Sequence, residues 1–284
     1  MDFDTRQVDL NIKLLTKMTK EELFAIAETK VELRPRYYIS EGFEIFKKNA
    51  GGFVGFVFLN LFISVVLSLI PLIGGIVSSV LSILLSAGLI MVVRKIRNGE
   101  TVLFNDFFDA FKNAGPPIAV SLMQGLIIGL TVIPGVIVFF IFFFAEFTSG
   151  AIPSSSVFFT MIPLFFLMGI PAIILAICYI FSMYIVLFLN QDFWTAMEAS
   201  RRFVMKNFGS VLGFIFVLGL LWILVVVFTC GLGYFVMTPV SIASVYLAFE
   251  DIYKPDANTF ETKIESFGLQ ERDINTEADE KSNS

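Results

Sequence analysis

Chemistry needs reactive side chains held together, and this chain offers few of them. It has no histidine, which removes the commonest general base and the commonest imidazole metal ligand. Two cysteines, Cys178 and Cys230, are too few for a disulfide framework or a metal site. Glu44, Asp109 and Glu198 each sit on a short amphipathic stretch and are the carboxylates an acid–base reaction would use. The same residues serve equally well as ordinary solvated faces. Gly231-Leu232-Gly233 lies between two apolar runs and reads as a turn, not a phosphate cradle, and no Walker, dinucleotide or metal-ligand spacing occurs. Within the apolar runs, Asn60 and Gln124 suit hydrogen bonds between helices. Glu146, near the end of the third run, reads as a loop carboxylate or as the coupling group of a transporter. The expectation is a protein with no catalytic residue, cofactor or metal of its own.

The elements that would carry these residues are set by composition. Of 284 residues 56% are hydrophobic, 34 are Phe, and only 16% are charged, against about 25% in soluble domains. No charge falls between Phe53 and Val93, and only Glu146 falls between Lys112 and Asp192. A bilayer core takes roughly 20 apolar residues of helix, so the chain predicts six spans: 53–70, 72–93, 117–145, 157–189, 210–229 and 234–249. The fourth run is too long for one straight crossing, and Pro163 and Pro171 are expected to divide it. All 20 Lys and Arg fall before the first span, after the last, or in alternate loops. The positive-inside rule makes that side cytoplasmic and puts both termini there. The polar start of the chain lacks the pattern of a cleaved signal.

A four-residue pattern recurs. Lys48-Asn49-Ala50-Gly51, Lys112-Asn113-Ala114-Gly115 and Lys206-Asn207-Phe208-Gly209 each follow an amphipathic, aromatic-rich stretch and precede two spans. Three copies imply an internal repeat, with units over 40–95, 104–190 and 191–253. The expected fold is all-α: a polytopic membrane bundle of six spans, built as three repeats of interfacial helix, span, span. Aromatic rings and Lys suit the headgroup layer, and Asn-x-Gly suits the end of one helix and a change of direction. Gly55, Ala119 and Gly213, four residues beyond each motif glycine, are expected to let neighbouring helices approach closely. Lys48, Lys112 and Lys206, with Arg201 and Arg202, are candidate contacts for anionic lipid.

The pattern resembles the bacterial six-helix membrane proteins grouped with the glycerophosphoryl diester phosphodiesterase membrane-domain and YciC-like families. The residues that carry it are Gly169-Ile170-Pro171-Ala172-Ile173-Ile174-Leu175, Phe193-Trp194, Ala196, Ser200, Lys206-Asn207-Phe208-Gly209 and Ala248-Phe249-Glu250-Asp251. The resemblance covers roughly 40–253. It implies the six-span fold in a bacterial inner membrane; the phosphodiesterase of the family name belongs to a fused catalytic domain this chain lacks.

The ends differ in kind. Residues 1–39 form a polar segment in which Thr19-Lys20-Glu21-Glu22 has capping-box spacing, and Leu23, Ile26, Ala27 and Val31 share an apolar face up to Pro35. Val8, Leu10, Ile12 and Leu14 alternate with polar residues, which reads as a strand docking on a partner, a disordered leader or a helix. Residues 254–284 read as a disordered acidic tail. Residues 1–249 sum to about +1 and the remainder to −6, which argues against nucleic acid as a partner. The expected partners are membrane lipids and another protein met at the cytoplasmic face through 1–39. The expected role is an integral membrane scaffold, assembly or accessory subunit. The alternative is a lipid or small-molecule transporter using Glu146, Pro163, Pro171 and the proline-broken fourth span.

Overall fold

The computed structural model describes residues 18–70, 73–148, 163 and 169–253 of the chain. The proposed strand at 8–14 and the acidic tail lie outside these residues. No strand occurs among the described residues, and six helices are long and apolar enough to cross a membrane. The first helix, α1 (Lys20–Ala27), starts where the capping box places it: Thr19 Oγ1 accepts from Glu22 N–H, and Glu22 Oε2 accepts from Thr19 N–H. Its Leu23 and Ala27 are fully buried. Then follow three groupings of one short amphipathic element and two long apolar helices. The first is α2 (Pro35–Lys48), α3 (Ala50–Ser68) and α4 (Ile73–Arg97). The second is a 3-10 helix (Phe104–Asn113), α5 (Gly115–Thr148) and a broken helix over Gly169–Leu189, whose last part is α6 (Ser182–Leu189). The third is α7 (Phe193–Lys206), α8 (Phe208–Phe228) and α9 (Tyr234–Tyr253).

The long helices sort into two shells. In the most apolar stretch of the second helix of each group, 44%, 44% and 61% of residues are buried, against 17%, 0% and 17% in the first. The second helices therefore make the inner bundle, and the first helices lie outside with faces such as Phe58, Leu126, Phe140 and Phe216 exposed. The inner helices meet through rings: Tyr184 and Phe188 of α6 pack on Tyr246 and Phe249 of α9 at centroid separations of 5.5–6.5 Å. Rings at such distances attract beyond their burial, so this contact joins the second group to the third.

Each amphipathic element packs on the inner helix of the group before it: the 3-10 helix on α4, α7 on the broken helix, and α2, closing the cycle, on α9. The crossings use small residues. A Cβ built at Gly88 of α4 would overlap the carbonyl oxygen of Phe107, and one at Gly42 of α2 would lie 2.7 Å from Ser244 Oγ of α9. At the third crossing Ser200 of α7 donates to the carbonyl of Cys178 at 2.7 Å. By contrast, a Cβ at Gly55 or Gly213 would meet no described atom within 4 Å. The expectation of close helix approach there is not met within one chain, because those glycines sit on the outer helices and face away from the bundle.

The aromatic residues of the amphipathic elements divide between two faces. Trp194 and Phe111 are exposed, as expected for an interface. Phe107 and Phe203 are fully buried, the first against Phe53 and Phe56 and the second against Phe181 and Tyr253. These rings hold the elements down on the bundle, because the apolar area they bury there stays out of water whatever surrounds the outer helices.

Candidate functional site

The three motif copies occupy corresponding joints but make different contacts. Asn49 ends α2 and caps α3, its Oδ1 accepting from Gly52 N–H at 3.3 Å. Asn207 holds the joint between α7 and α8 and reaches a different element. Its Oδ1 accepts from Val31 N–H at 2.9 Å, and its Nδ2 donates to the carbonyls of Thr29 at 2.9 Å and Phe203 at 3.1 Å. With Ser210 Oγ accepting from Leu33 N–H at 2.9 Å, it ties down the extended segment after α1. Asn113 is exposed at the end of the 3-10 helix and makes no side-chain hydrogen bond among the described residues. Gly51, Gly115 and Gly209 all border open space. Lys48 and Lys206 are exposed and make no ion pair among the described residues, whereas Lys112 is held by Asp109 at 2.6 Å.

Arg201 and Arg202, the expected lipid contacts, are engaged in ion pairs within the chain. Both face Glu198 at 2.8 Å, and Arg202 also reaches Glu28 at 3.3 Å while lying over the Phe24 ring at 4.4 Å. Only Arg202 reaches from α7 to the end of α1; Arg201 pairs within α7. Their i, i+3 and i, i+4 spacing from Glu198 accounts for the pairing. The other candidate carboxylates are likewise engaged: Glu44 by Lys47 at 2.7 Å, and Asp109 by Lys95 at 2.7 Å and by Lys112. Asp251 lies between Arg34 at 3.0 Å and the Tyr38 hydroxyl at 2.5 Å, latching α9 to the start of α2. Burial and this carboxylate push Tyr38 up to about 12. A general acid at neutral pH needs a raised carboxylate pKa; hydrogen bonds from Lys112 and Lys95 lower that of Asp109, and those from Arg201 and Arg202 lower Glu198 from 4.5 to about 2, against a smaller effect of burial. Glu198 therefore stabilises the fold fully above the ordinary glutamate range, and this contribution fades as pH falls through about 2. Melting temperatures of wild type and Glu198→Gln should differ by a constant amount from pH 7 to about 5 and converge towards about pH 2. A gap that widens with acid would be the wrong sign.

The second group contains an interruption that the sequence reading did not include, at Tyr179, Ile180 and Phe181, after the helical residues 169–178 that hold Pro171; the residues 164–168, where a break before Pro171 would fall, lie outside the described ones. The freed backbone groups are met by side chains from two neighbours. Ser200 Oγ accepts from Phe181 N–H at 3.2 Å while donating to Cys178, and Gln124 Nε2 of α5 donates to the Tyr179 carbonyl at 3.3 Å. Gln124 thus makes the interhelical bond expected of it. Asn60 does not: its buried Oδ1 has no partner among the described residues. Pro163 is exposed and helical, and the surroundings of the Glu146 side chain lie outside the description. Among the described residues no group of three His, Cys, Asp or Glu side chains is placed to hold a metal ion.

Sequence reasoning missed the roles of Ser200 and Cys178, the two sides of this joint. One signal was present: Ser200 stands seven residues before Asn207, as Gly42 does before Asn49, a small residue at the corresponding place in both elements. No family model, curated protein or solved structure matches this chain. What the chain does rests on its own geometry.

Proposed function

We propose that the protein is an integral membrane scaffold, assembly or accessory subunit without catalytic activity of its own. The observation that carries this reading is the fate of the charges. Glu28, Glu44, Asp109, Glu198, Glu250 and Asp251 are each paired with a cation of the same chain, so these carboxylates form no reactive cluster among the described residues. α1 and the segment after it are held on the bundle by Asn207, Arg202 and Ser210, and in this reading a partner docks through residues 1–39. The membrane is a bacterial inner membrane in this reading, as the family resemblance implies, with the charged end and both termini cytoplasmic. The three groupings are copies of one unit, and the cyclic packing of amphipathic elements on preceding inner helices supports that.

The decisive experiment is extraction into native-lipid discs followed by mass spectrometry of co-purifying proteins. A stoichiometric protein partner that is lost when residues 1–17 are deleted supports the scaffold; a lone protein, or capture unchanged by the deletion, overturns it. Orientation has its own test. Cys230 is exposed in the turn between α8 and α9, so an impermeant thiol reagent should label it in intact cells, and labelling only after lysis would reverse the topology.

A second reading, a lipid or small-molecule transporter, has one observation in its favour. The interruption at Tyr179–Phe181 lies in an inner helix, and discontinuous inner helices are where many transporters hold their cargo. Retention of one lipid or small molecule by the purified protein, lost in Pro171→Ala, would favour it.

A further inference from the structure

Four cations among the described residues are only partly exposed: Arg94, Lys95, Arg201 and Arg202. Lys95 meets Asp106 and Asp109 at 2.9 and 2.7 Å, and both Arg201 and Arg202 meet Glu198 at 2.8 Å. Even the exposed Arg34 and Arg97 have carboxylates at 3.0 Å. Among the described residues Arg94 has no carboxylate within 4 Å and its side chain makes no hydrogen bond. A cation partly withdrawn from water is ordinarily matched by an anion, since desolvation without a partner is costly.

The position of Arg94 says where that anion would lie. Lys95, the next residue, turns outward to the 3-10 helix, whereas the Arg94 guanidinium lies 4.8 Å over the ring of Phe188 on α6. Phe188 in turn packs on Tyr246 and Phe249 of α9. Arg94 therefore stands where the three inner helices meet, at their charged end. The carboxylate on that neighbouring helix, Glu250, is already engaged: Arg97 Nε donates to it at 3.0 Å and the Tyr246 hydroxyl at 3.4 Å. A ring beneath a guanidinium fixes its plane and leaves its edge N–H groups free, the arrangement that takes an oxyanion through two parallel hydrogen bonds.

We propose that Arg94, seated on Phe188 at the meeting point of the three inner helices, binds an oxyanion of the phosphate class. The phosphate belongs to a lipid headgroup or to a small soluble molecule, and the chemistry at Arg94 is the same for both. The site does not depend on the scaffold reading, because it makes no use of a protein partner.

The test uses the full chain in phosphatidylcholine discs with two probes. The first is inorganic phosphate, titrated at constant ionic strength and followed by thermal unfolding. The second is phosphatidylglycerol added to the discs, with its retention read by native mass spectrometry. The wild type is expected to respond: to phosphate if the source is soluble, to retained phosphatidylglycerol if it is a headgroup. Arg94→Gln should weaken that response about tenfold or more, the worth of a charged hydrogen bond. Arg94→Lys, which keeps the charge without the fork, should fall between, and Arg36→Gln, at an exposed arginine without an ion pair among the described residues, should match wild type. Phe188→Leu leaves every charge in place and should weaken binding too, so the idea stays testable if Arg94→Gln fails to fold. Wild type indifferent to both probes would overturn the site, as would Arg94→Gln responding like wild type. A wild type that responds only after deletion of residues 254–284 would also overturn it, by giving the place to the chain's own carboxylates.

Discussion

Alanine at Gly88 is expected to destabilise the protein by about 3 kcal/mol, the upper part of the range for forcing atoms into a filled space. The added methyl would overlap the backbone carbonyl of Phe107, and a backbone atom cannot escape by changing rotamer. The 3-10 helix would have to lift from α4, drawing Phe107 from its pocket between Phe53 and Phe56 and loosening the Lys95 contacts to Asp106 and Asp109. Thermal unfolding in detergent measures the loss, and hydrogen exchange should rise over Phe104–Asn113 ahead of the rest. Alanine at Gly55 or Gly213 is the control. Those positions border open space, so the change should stay within about 0.5 kcal/mol. If Gly88→Ala melts like Gly55→Ala, the 3-10 helix does not sit where the structure puts it.

Asn207→Ala is expected to cost about 3 kcal/mol and to act at a distance from its own helix. Asn207 is 7% exposed, and its amide serves Val31 N–H and the carbonyls of Thr29 and Phe203. Truncation leaves those groups without partners, at about 1–3 kcal/mol for each that water cannot reach. The segment 28–34 should come loose, and α1 with it, since Arg202 to Glu28 at 3.3 Å is a part-exposed pair of small worth. Hydrogen exchange at Val31 and Leu33 is the direct readout. The same substitution at Asn49 removes only a helix cap, worth about 1 kcal/mol, and at Asn113 it should cost less than about 0.5 kcal/mol. Equal losses at all three would mean that the shared motif, not the contact with residues 29–33, sets the energetics.

That contrast shows what a sequence pattern can and cannot carry. The three Lys-Asn-x-Gly stretches are alike in sequence and alike in place, each at a joint between an amphipathic element and a long helix. Their contacts differ because the 28–34 segment lies over one joint alone, and nothing in the four residues encodes that. Arg201 and Arg202 make the same point. Their spacing from Glu198 was visible and sufficient to pair them, and the structure shows that pairing. In the fourth span the expected division around Pro163 and before Pro171 falls largely on residues outside the described ones, while the break that is seen, at Tyr179–Phe181, carries no proline and is paired by Ser200 and Gln124 from other elements.

Hydropathy and charge along the chain determined that it is all-helical with six helices able to cross a membrane, because the scarcity of charge over such lengths leaves helices as the way to satisfy the backbone in lipid. The capping box determined where α1 begins, because both of its bonds are local. The sorting of the long helices into inner and outer shells belongs to the tertiary structure alone. Each of the six has a long stretch of high mean hydropathy, and that average does not say which face meets protein. That choice was made by small residues at crossings, Gly88 under Phe107 and Gly42 on Ser244, and by rings meeting across helices. It also left Arg94, where three helices converge, without a carboxylate among the described residues, which no single stretch of sequence contains.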